Sequence, residues 1–532
     1  MGEPRWWERG VIYHVYPRSF MDSSADGVGD LRGITHKLSY LSWLGVDAVW
    51  ISPFYPSPMK DFGYDVSDYK NVHPTFGTLE DFDAFVAEAH RLGLKVILDY
   101  VPNHTSDRHR WFEESRSSRQ SPRRDWYIWR DPDPRTGGPP NNWIASFGGP
   151  AWTFDERTDQ YYYHAYLPEQ PDLNWRNAEV RKAMLDVLGF WLERGVDGFR
   201  VDALRQLLKD CRFRDNPPNP DHDLAGSPYD ALLPIYSTDR PEVHDAVCEM
   251  RGVLDAYGEK LLVGELYLPI ERLVTYYGES GLHLPTNMHL IPTPWYAREI
   301  ASLIERYEAA LPEGAWPNWV LGNHDRSRIA SRIGAPQARV AAMLLLTLRG
   351  TPTIYYGDEI GMHDVPIPPE GVQDPWEKNV PGRGLGRDPE RTPMQWNTQA
   401  NAGFCPAGVE PWLPVAKDHD RNNVAAERED PTSTLTLYRR LLALRRATPA
   451  LATGSYAPVP ATGDGLMYIR ESQGHRYLVA LNLGHVPLEL ASTNSPSRGR
   501  VVLSTHPDRE GEETKGYPYL RSDEGLIVEL FV

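Results

Sequence analysis

The sequence has 532 residues, of which 41% are apolar and 24% charged, the proportions of an ordinary soluble globular protein. Its 73 acidic and 56 basic residues leave a formal net charge of −17, which argues against nucleic acid and anionic membranes as partners. The three cysteines are far apart and form no metal-binding spacing. The sequence contains no signal segment and no apolar run of membrane-spanning length, so we predict a soluble cytoplasmic protein, monomeric or homodimeric.

In the first part of the chain one unit repeats, in which an amphipathic helix ends at a glycine and a buried strand follows. Gly45 ends the first of these helices, and Gly93 and Gly195 end the next two. The strands predicted on this pattern are 11–17, 46–53, 94–99 and 196–203. Further candidate strands are 261–265, 282–291, 319–325 and 352–356. Eight strands in parallel β/α winding predict a (β/α)8 TIM barrel, and a doubly wound sheet is the alternative.

Two long spans lack helical periodicity and interrupt the winding. Residues 105–174 are rich in Arg, Asp, Pro, Gly and Trp, and we predict that they form a small inserted domain between two parts of the barrel, 1–104 and 175–450. The second irregular span, 357–415, follows the last predicted strand as a long loop. Short β-rich segments near the end of the chain predict a C-terminal antiparallel β-sandwich over 451–532.

The predicted strand 196–203 ends with two charged residues on one face. Side chains alternate along a strand, so Arg200 and Asp202 project in the same direction. Ions are costly to bury, and strands of this kind normally carry Val, Ile or Leu at such positions. We expect the Arg200 cation to lower the pKa of Asp202 and keep it ionised, as a nucleophile requires. A structural ion pair is the alternative interpretation.

Other predicted strands also end in polar residues, and Glu265 and Asp325 are two of them. In a barrel these ends meet at one rim, where catalytic groups lie. Neighbouring strands are about 4.8 Å apart, which suits the carboxyl separation of about 5–5.5 Å in retaining glycoside hydrolases. Asp202 would then attack the anomeric carbon. Glu265 has no sequence-adjacent cation and is the candidate general acid/base.

These strand ends resemble a known family. Asp99 with Asn103-His104, the segment 198–202, Glu265 and Asn323-His324-Asp325 resemble, in order and spacing, the four sequence regions of the α-amylase family, glycoside hydrolase family 13. Gln170-Pro171-Asp172-Leu173-Asn174 is similar to a fifth region in the oligo-1,6-glucosidase branch of that family, which holds exo-acting α-glucosidases. The resemblance covers essentially the whole chain.

The resemblance implies roles for individual residues. Asp202 would be the nucleophile and Glu265 the acid/base, while Asp325 and His324 would bind the 2- and 3-hydroxyls of the glucose in subsite −1. The other implied residues are Asp61 and Tyr64 beside this sugar, His104 at its 6-hydroxyl, Asp99 in support of Arg200, Arg391 closing the pocket, and Phe147 and Tyr166 as walls on the inserted domain. Relatives usually have Phe where this chain has Tyr166.

The loop after the first predicted strand spaces oxygen ligands like the start of an EF-hand loop. The candidate ligands of a structural Ca²⁺ ion are Asp22, Ser24, Asp26, the Val28 carbonyl and Asp30. Gly33 stands where an EF-hand loop has its bidentate glutamate. Mg²⁺ is the alternative ion, and a metal-free turn is the alternative to both. No organic cofactor is predicted.

The sequence thus predicts a retaining, exo-acting α-glucosidase that acts on small α-glucosides, with transglucosylation as an additional activity. Ala203 follows the nucleophile at a position that resembles Val in relatives preferring α-1,6 bonds, so we expect α-1,4 bonds to be preferred. A sucrose isomerase or hydrolase and an oligo-1,6-glucosidase of the same family are the alternatives. A non-catalytic transporter-associated subunit is a further alternative, against which the complete catalytic set argues.

Overall fold

The computed structural model describes residues 3–490 and 498–531 and contains eight parallel strands. Apart from the sixth and seventh, strands that follow one another along the chain are neighbours in the sheet, and the eighth also pairs with the first. The strands are β1 (Ile12–Val15), β2 (Ala48–Ile51), β3 (Lys95–Tyr100), β4 (Gly198–Val201), β5 (Leu261–Gly264), β6 (Leu284–Pro285), β7 (Asn318–Val320) and β8 (Thr351–Tyr355). This order confirms the (β/α)8 barrel over the doubly wound sheet.

Helices follow the strands around the outside of the barrel. They are Leu31–Leu44, Leu79–Arg91, Ala178–Glu193, Val243–Asp255, Ile270–Leu273, Ala297–Ala310, Ala335–Thr347 and Thr434–Ala447. In the first of them, the Asp30 carboxylate accepts the Gly33 N–H at 2.7 Å, and Gly45 ends the helix in the left-handed region at φ 103°. Shorter helices are Trp6–Arg9, Pro17–Phe20, Arg110–Arg116, Ile329–Ile333, Pro375–Asn379, Val424–Glu429 and Pro449–Ala452.

The sixth strand is much shorter than predicted. The segment 282–291 pairs with β5 over Leu284–Pro285, and the chain then leaves the sheet. Pro285 has no N–H to donate, so it is a poor position from which to continue a ladder. Within the described residues β6 does not pair with β7, and the barrel is open along this seam.

The segment inserted after β3 forms a small antiparallel sheet of its own. Its strands are Trp129–Arg130, Gln160–Tyr163 and Trp152–Asp155, with the second in the middle. Single bridges pair His104 with Asp172 and Tyr127 with Leu173, so the segment returns to the carboxyl end of β3. The inserted segment therefore lies against the rim where the carboxyl ends of the strands meet.

The C-terminal part is antiparallel β-structure, as predicted. A six-stranded sheet contains Ser455–Val459, Gly465–Ser472, His475–Asn482, Gly525–Leu530, Gly499–Ser504 and Glu513–Thr514, and a separate pair contains Leu488–Glu489 and Tyr519–Leu520. Residues 491–497 of the predicted domain lie outside the described ranges. Buried Arg445 donates to the Leu346 carbonyl at 3.0 Å, and buried Arg470 donates to the Thr347 carbonyl. The Arg445 bond joins two barrel helices, and the Arg470 bond attaches the sheet to the barrel.

Candidate active site

A cavity of about 530 Å³ lies at the carboxyl ends of the barrel strands. Ten residues predicted from the sequence line it: Asp61, Tyr64, His104, Phe147, Tyr166, Asp202, Ala203, Glu265, His324 and Asp325. Asp99, Arg200 and Arg391 are buried and do not belong to this lining. The strand ends thus converge as the barrel topology requires.

Buried Arg200 joins the ends of three neighbouring strands. It lies opposite Asp99 in the β3–β4 register, and its Nη1 donates to Asp99 Oδ1 at 2.8 Å and to Asp202 Oδ1 at 2.7 Å. Its Nη2 lies 2.6 Å from Glu265 Oε1 in a close ion pair. One guanidinium therefore holds the predicted nucleophile and the predicted acid/base together.

Ala203 turns the chain out of β4 and positions Glu265. Its φ of 48° lies in the left-handed region, which few residues other than glycine adopt. In this conformation the Ala203 N–H donates to Glu265 Oε2 at 2.9 Å. Both oxygens of Glu265 are therefore occupied, one by this backbone group and one by Arg200.

Burial raises the pKa of Asp202 well above its usual range, and the neighbouring Glu265 charge adds to the rise. Arg200 acts in the opposite direction but does not outweigh them. The expected effect of Arg200 on this pKa is therefore present but is not decisive, because the expectation considered the cation in the same strand and neither burial nor the carboxyl group on the next strand. The two carboxyl groups share one cation and repel each other's charge, so burial and Glu265 together set the direction of the Asp202 shift.

Asp325 is held as an anion at the end of β7. Arg391 Nη2 donates to Asp325 Oδ1 at 2.8 Å, and Arg387 Nη1 donates to the same oxygen at 3.2 Å. Burial opposes ionisation, but His324 and the two guanidinium groups lower the pKa of Asp325 well below its usual range. Its second oxygen stays available to accept hydrogen bonds from sugar hydroxyls.

Tyr64 connects this anion to the Arg200 cluster. Its hydroxyl donates to Asp99 Oδ2 at 2.9 Å and lies 2.7 Å from His324 Nε2. The rings of Tyr64 and His324 are nearly parallel, with centroids 5.4 Å apart. Burial lowers the pKa of His324 well below its usual range, while the Asp325 carboxylate acts in the opposite direction. The aromatic side of the cavity is therefore fixed in place by hydrogen bonds.

Arg387 is a residue that the sequence analysis missed. It is in the long loop after β8, and its Nη2 donates to Asp61 Oδ1 at 2.8 Å and to Asp374 Oδ1 at 2.6 Å. Arg391 was expected to close the pocket from this loop, but it lies behind Asp325, and Arg387 lines the cavity instead. The two arginines are four residues apart in an irregular loop, where spacing alone does not show which one reaches the cavity.

The inserted segment forms another wall of the cavity. Its Phe147 and Tyr166 rings are in contact, with centroids 5.4 Å apart. Gln170 Nε2 donates to Asp61 Oδ2 at 3.1 Å and lies 3.1 Å from His104 Nε2. Burial lowers the pKa of His104 to about 4, so the imidazole is neutral near pH 7. Gln170 belongs to the fifth motif but was not predicted to contact the site.

The other lining residues that no sequence pattern indicated include Arg205, Gln206, Tyr229, Asp230, Tyr267, Arg326, Trp376 and Leu385.

The candidate metal loop is held together by buried Asp22 and Asp30. The Ser24 N–H donates to both carboxylates, at 2.9 Å to Asp22 and 3.1 Å to Asp30, so two negative charges converge on one backbone group. Among the described residues, no group of three or more His, Cys, Asp or Glu side chains is gathered as a metal site. Both oxygens of Asp22 and both of Asp30 accept hydrogen bonds from the chain, and Ca²⁺ at this loop stays a prediction.

An aspartate and a glutamate on adjacent strand ends, facing a sugar-sized cavity of a (β/α)8 barrel, define a glycoside hydrolase. Residues 14–454 match the family model "Alpha amylase, catalytic domain". The chain belongs to the α-amylase family.

No helix in the described ranges combines the length and apolar character needed to cross a membrane.

Relatives and solved structures of this family match nearly the whole chain. A Rhizobium meliloti protein named "Probable alpha-glucosidase" is 42% identical, over 94% of this chain and 93% of its own. "Maltase A2" of Drosophila melanogaster is 39% identical, over 94% and 90%. A crystal structure described as an alpha-glucosyl transfer enzyme superimposes with a TM-score of 0.94 at 40% identity, covering 99% of this chain and 100% of that one.

Proposed function

We propose that the protein is a retaining, exo-acting α-glucosidase that releases glucose from the non-reducing end of small α-glucosides. The observation that carries the proposal is the ion pair of Arg387 with Asp61 at 2.8 Å, extended by Gln170 and Asp325. These joined, mostly buried side chains form a wall beside the catalytic carboxyls. A polysaccharide cannot pass through such a wall, so a terminal sugar has to enter the cavity end-on.

In this proposal Asp202 attacks the anomeric carbon of the bound glucose, and Glu265 protonates the leaving oxygen. A covalent glucosyl ester on Asp202 results. Glu265 then takes a proton from water as the water oxygen attacks the same carbon, and the carboxylate of Asp202 is released. Arg200 and the Ala203 N–H orient the two carboxyl groups at hydrogen-bonding distances of 2.7 Å and 2.9 Å. Two displacements return the α configuration.

The configuration of the first product tests this scheme. p-Nitrophenyl α-glucoside, whose leaving group is not a sugar, should release α-glucose before mutarotation, because two successive inversions retain the configuration. Proton NMR within the first minutes of reaction resolves the two anomers. β-Glucose as the first product would refute the double displacement. Parallel product analysis on isomaltose, sucrose and trehalose separates hydrolysis from isomerisation, since an isomerase converts sucrose mainly to another disaccharide.

We further propose that α-1,4 bonds are preferred over α-1,6 bonds, because the small side chain of Ala203 leaves room beside the scissile bond. The Ala203→Val variant should shift the ratio of kcat/KM toward isomaltose by roughly tenfold, as expected for a change of about two methyl groups. It should also lower Tm, because a β-branched residue at φ 48° is strained. Ala203→Gly is the matched control, since glycine adopts this φ freely and adds no bulk. A wild-type kcat/KM that is higher on isomaltose than on maltose would contradict the assignment.

We propose as well that a structural cation, Ca²⁺ or alternatively Mg²⁺, binds the 22–30 loop through Asp22, Ser24, Asp26, the Val28 carbonyl and Asp30. An ion that binds only the folded state stabilises it, so excess EDTA should lower Tm by a few degrees and added Ca²⁺ should restore it. Differential scanning fluorimetry and elemental analysis are the measurements. An unchanged Tm together with a metal-free protein would establish the metal-free turn.

A further inference from the structure

Lys209 is a buried lysine that does not line the catalytic cavity. Its side chain is 2% exposed, and its ammonium group donates to Asn103 Oδ1 at 3.0 Å and to the carboxylate of Asp172. Asn103 follows β3, and Asp172 belongs to the inserted segment. A buried cation is costly unless its charge is compensated, and Asp172 provides that compensation. The bond to Asn103 is a separate contact with a consequence of its own.

The ammonium group of Lys209 determines the orientation of the Asn103 amide. An ammonium group only donates, so the atom of Asn103 that faces it is the carbonyl oxygen Oδ1. The amide nitrogen of Asn103 then faces His104 Nδ1 at 3.2 Å. That nitrogen also only donates, so His104 Nδ1 has to accept and carries no proton.

The neighbours of the other ring nitrogen agree with this assignment. His104 is neutral near pH 7 because burial lowers its pKa, so it carries one ring proton. His104 Nε2 lies 3.1 Å from the Tyr64 carbonyl oxygen, which only accepts. Gln170 Nε2, also 3.1 Å from this ring nitrogen, has Asp61 as its acceptor. The Nε2–H tautomer therefore satisfies Asn103 and Tyr64 together, whereas the Nδ1–H tautomer satisfies neither.

Building on the proposed α-glucosidase activity, we propose that Lys209 is a positioning residue that acts through Asn103 to hold His104 as the Nε2–H tautomer, a hydrogen-bond donor to the 6-hydroxyl of the bound glucose. His104 lines the catalytic cavity and Asn103 does not, so Nε2 is the ring nitrogen left for the sugar. Without the ammonium group, the Asn103 amide can turn over and present its oxygen to Nδ1. His104 then presents a lone pair to the sugar where a proton is needed.

Nitrogen NMR of the full-length enzyme labelled with ¹⁵N-histidine measures the tautomer directly. The His104 signals, identified by their loss in His104→Gln, should show the Nε2–H form in the wild type near pH 7. In Lys209→Met, which keeps most of the side-chain length without the charge, these signals should shift toward the Nδ1–H form. A wild-type Nδ1–H form, or an unchanged tautomer in Lys209→Met, would overturn the inference whatever the enzyme hydrolyses.

Kinetics on p-nitrophenyl α-glucoside and on its 6-deoxy analogue measure the consequence of the tautomer. Wild-type kcat/KM should favour the glucoside by at least about a hundredfold, as in a site that hydrogen-bonds a substrate hydroxyl. Lys209→Met should lower this ratio at least about fivefold, because one hydrogen bond is lost. An unchanged ratio would overturn the inference. A wild-type enzyme that hydrolyses neither compound would instead overturn the proposed function and leave the tautomer measurement standing.

A double variant separates the bond to Asn103 from charge compensation. Lys209→Met leaves the buried carboxylate of Asp172 without its cation, so Tm should fall. Lys209→Met/Asp172→Asn removes both charges and should recover part of that Tm, while the kcat/KM ratio stays low because Asn103 still lacks its donor. Recovery of the ratio in the double variant would show that Lys209 only neutralises Asp172, and the inference would fail.

Asp155→Asn is the matched control for a weakened inserted segment. Asp155 is buried in that segment, and its carboxylate pairs with Arg116 at 2.6 Å, away from the catalytic cavity. This variant should lower Tm and leave both the tautomer of His104 and the kcat/KM ratio unchanged. An equal fall of the ratio in Asp155→Asn and Lys209→Met would show a general loss of order and overturn the inference.

Discussion

Replacing Asp202 by asparagine is expected to lower kcat on maltose by roughly 10⁴-fold or more while the fold is retained. An amide of nearly the same shape cannot form the glucosyl ester, so the first displacement is lost. Arg200 keeps Asp99 at 2.8 Å and Glu265 at 2.6 Å as partners, and its buried charge stays compensated. Steady-state kinetics measure the loss, and circular dichroism melting shows whether the variant is folded.

Glu265→Gln is the matched variant that separates the two carboxyl roles. The leaving group of p-nitrophenyl α-glucoside needs no proton, so this variant should still show a rapid first release of p-nitrophenol. On maltose it should lose several orders of magnitude in kcat, because the leaving sugar does need a proton. A rapid release by the Asp202 variant, or near-normal turnover by either variant, would contradict the assigned roles.

Replacing Asp325 by asparagine should lower kcat/KM on maltose by roughly 10²–10⁴-fold. The change removes the anion that accepts from Arg387 and Arg391 at 3.2 Å and 2.8 Å, and it removes the proposed acceptor for the sugar hydroxyls. The loss should be measurable with maltose and with p-nitrophenyl α-glucoside, because both place the same glucose in the cavity. Tm should also fall, since two buried cations lose a shared partner.

Asp374→Asn is the control for this second prediction. Asp374 accepts from Arg387 at 2.6 Å but does not line the cavity. Arg387 keeps Asp61 and Asp325 in this variant, so kcat/KM should fall less than tenfold while Tm falls comparably. An equal loss of kcat/KM in the two variants would show that Asp325 acts only by positioning Arg387.

The rim of polar strand ends could be predicted because it follows from regular elements. The repeat of helix, glycine and buried strand determines the order of strands, and that order brings strand ends such as Arg200, Glu265 and Asp325 to one edge. Loops have no such period. Gln170 and Arg387 both donate hydrogen bonds to Asp61. Neither contact could be predicted, because each depends on the position of an irregular segment in the folded structure.

The sequence by itself determined the barrel, the inserted segment and the chemical identity of the carboxyl groups proposed as catalytic, since hydrophobic periodicity and residue type are local properties. Only the tertiary structure decided the protonation behaviour of Asp202, because its pKa depends on burial and on Glu265, which arrives from another strand. Which of Arg387 and Arg391 lines the cavity was decided in the same way. The side chains that shift a pKa or line a cavity come from segments distant in sequence. The distances between these side chains, which set the strength of their interactions, are determined only by folding.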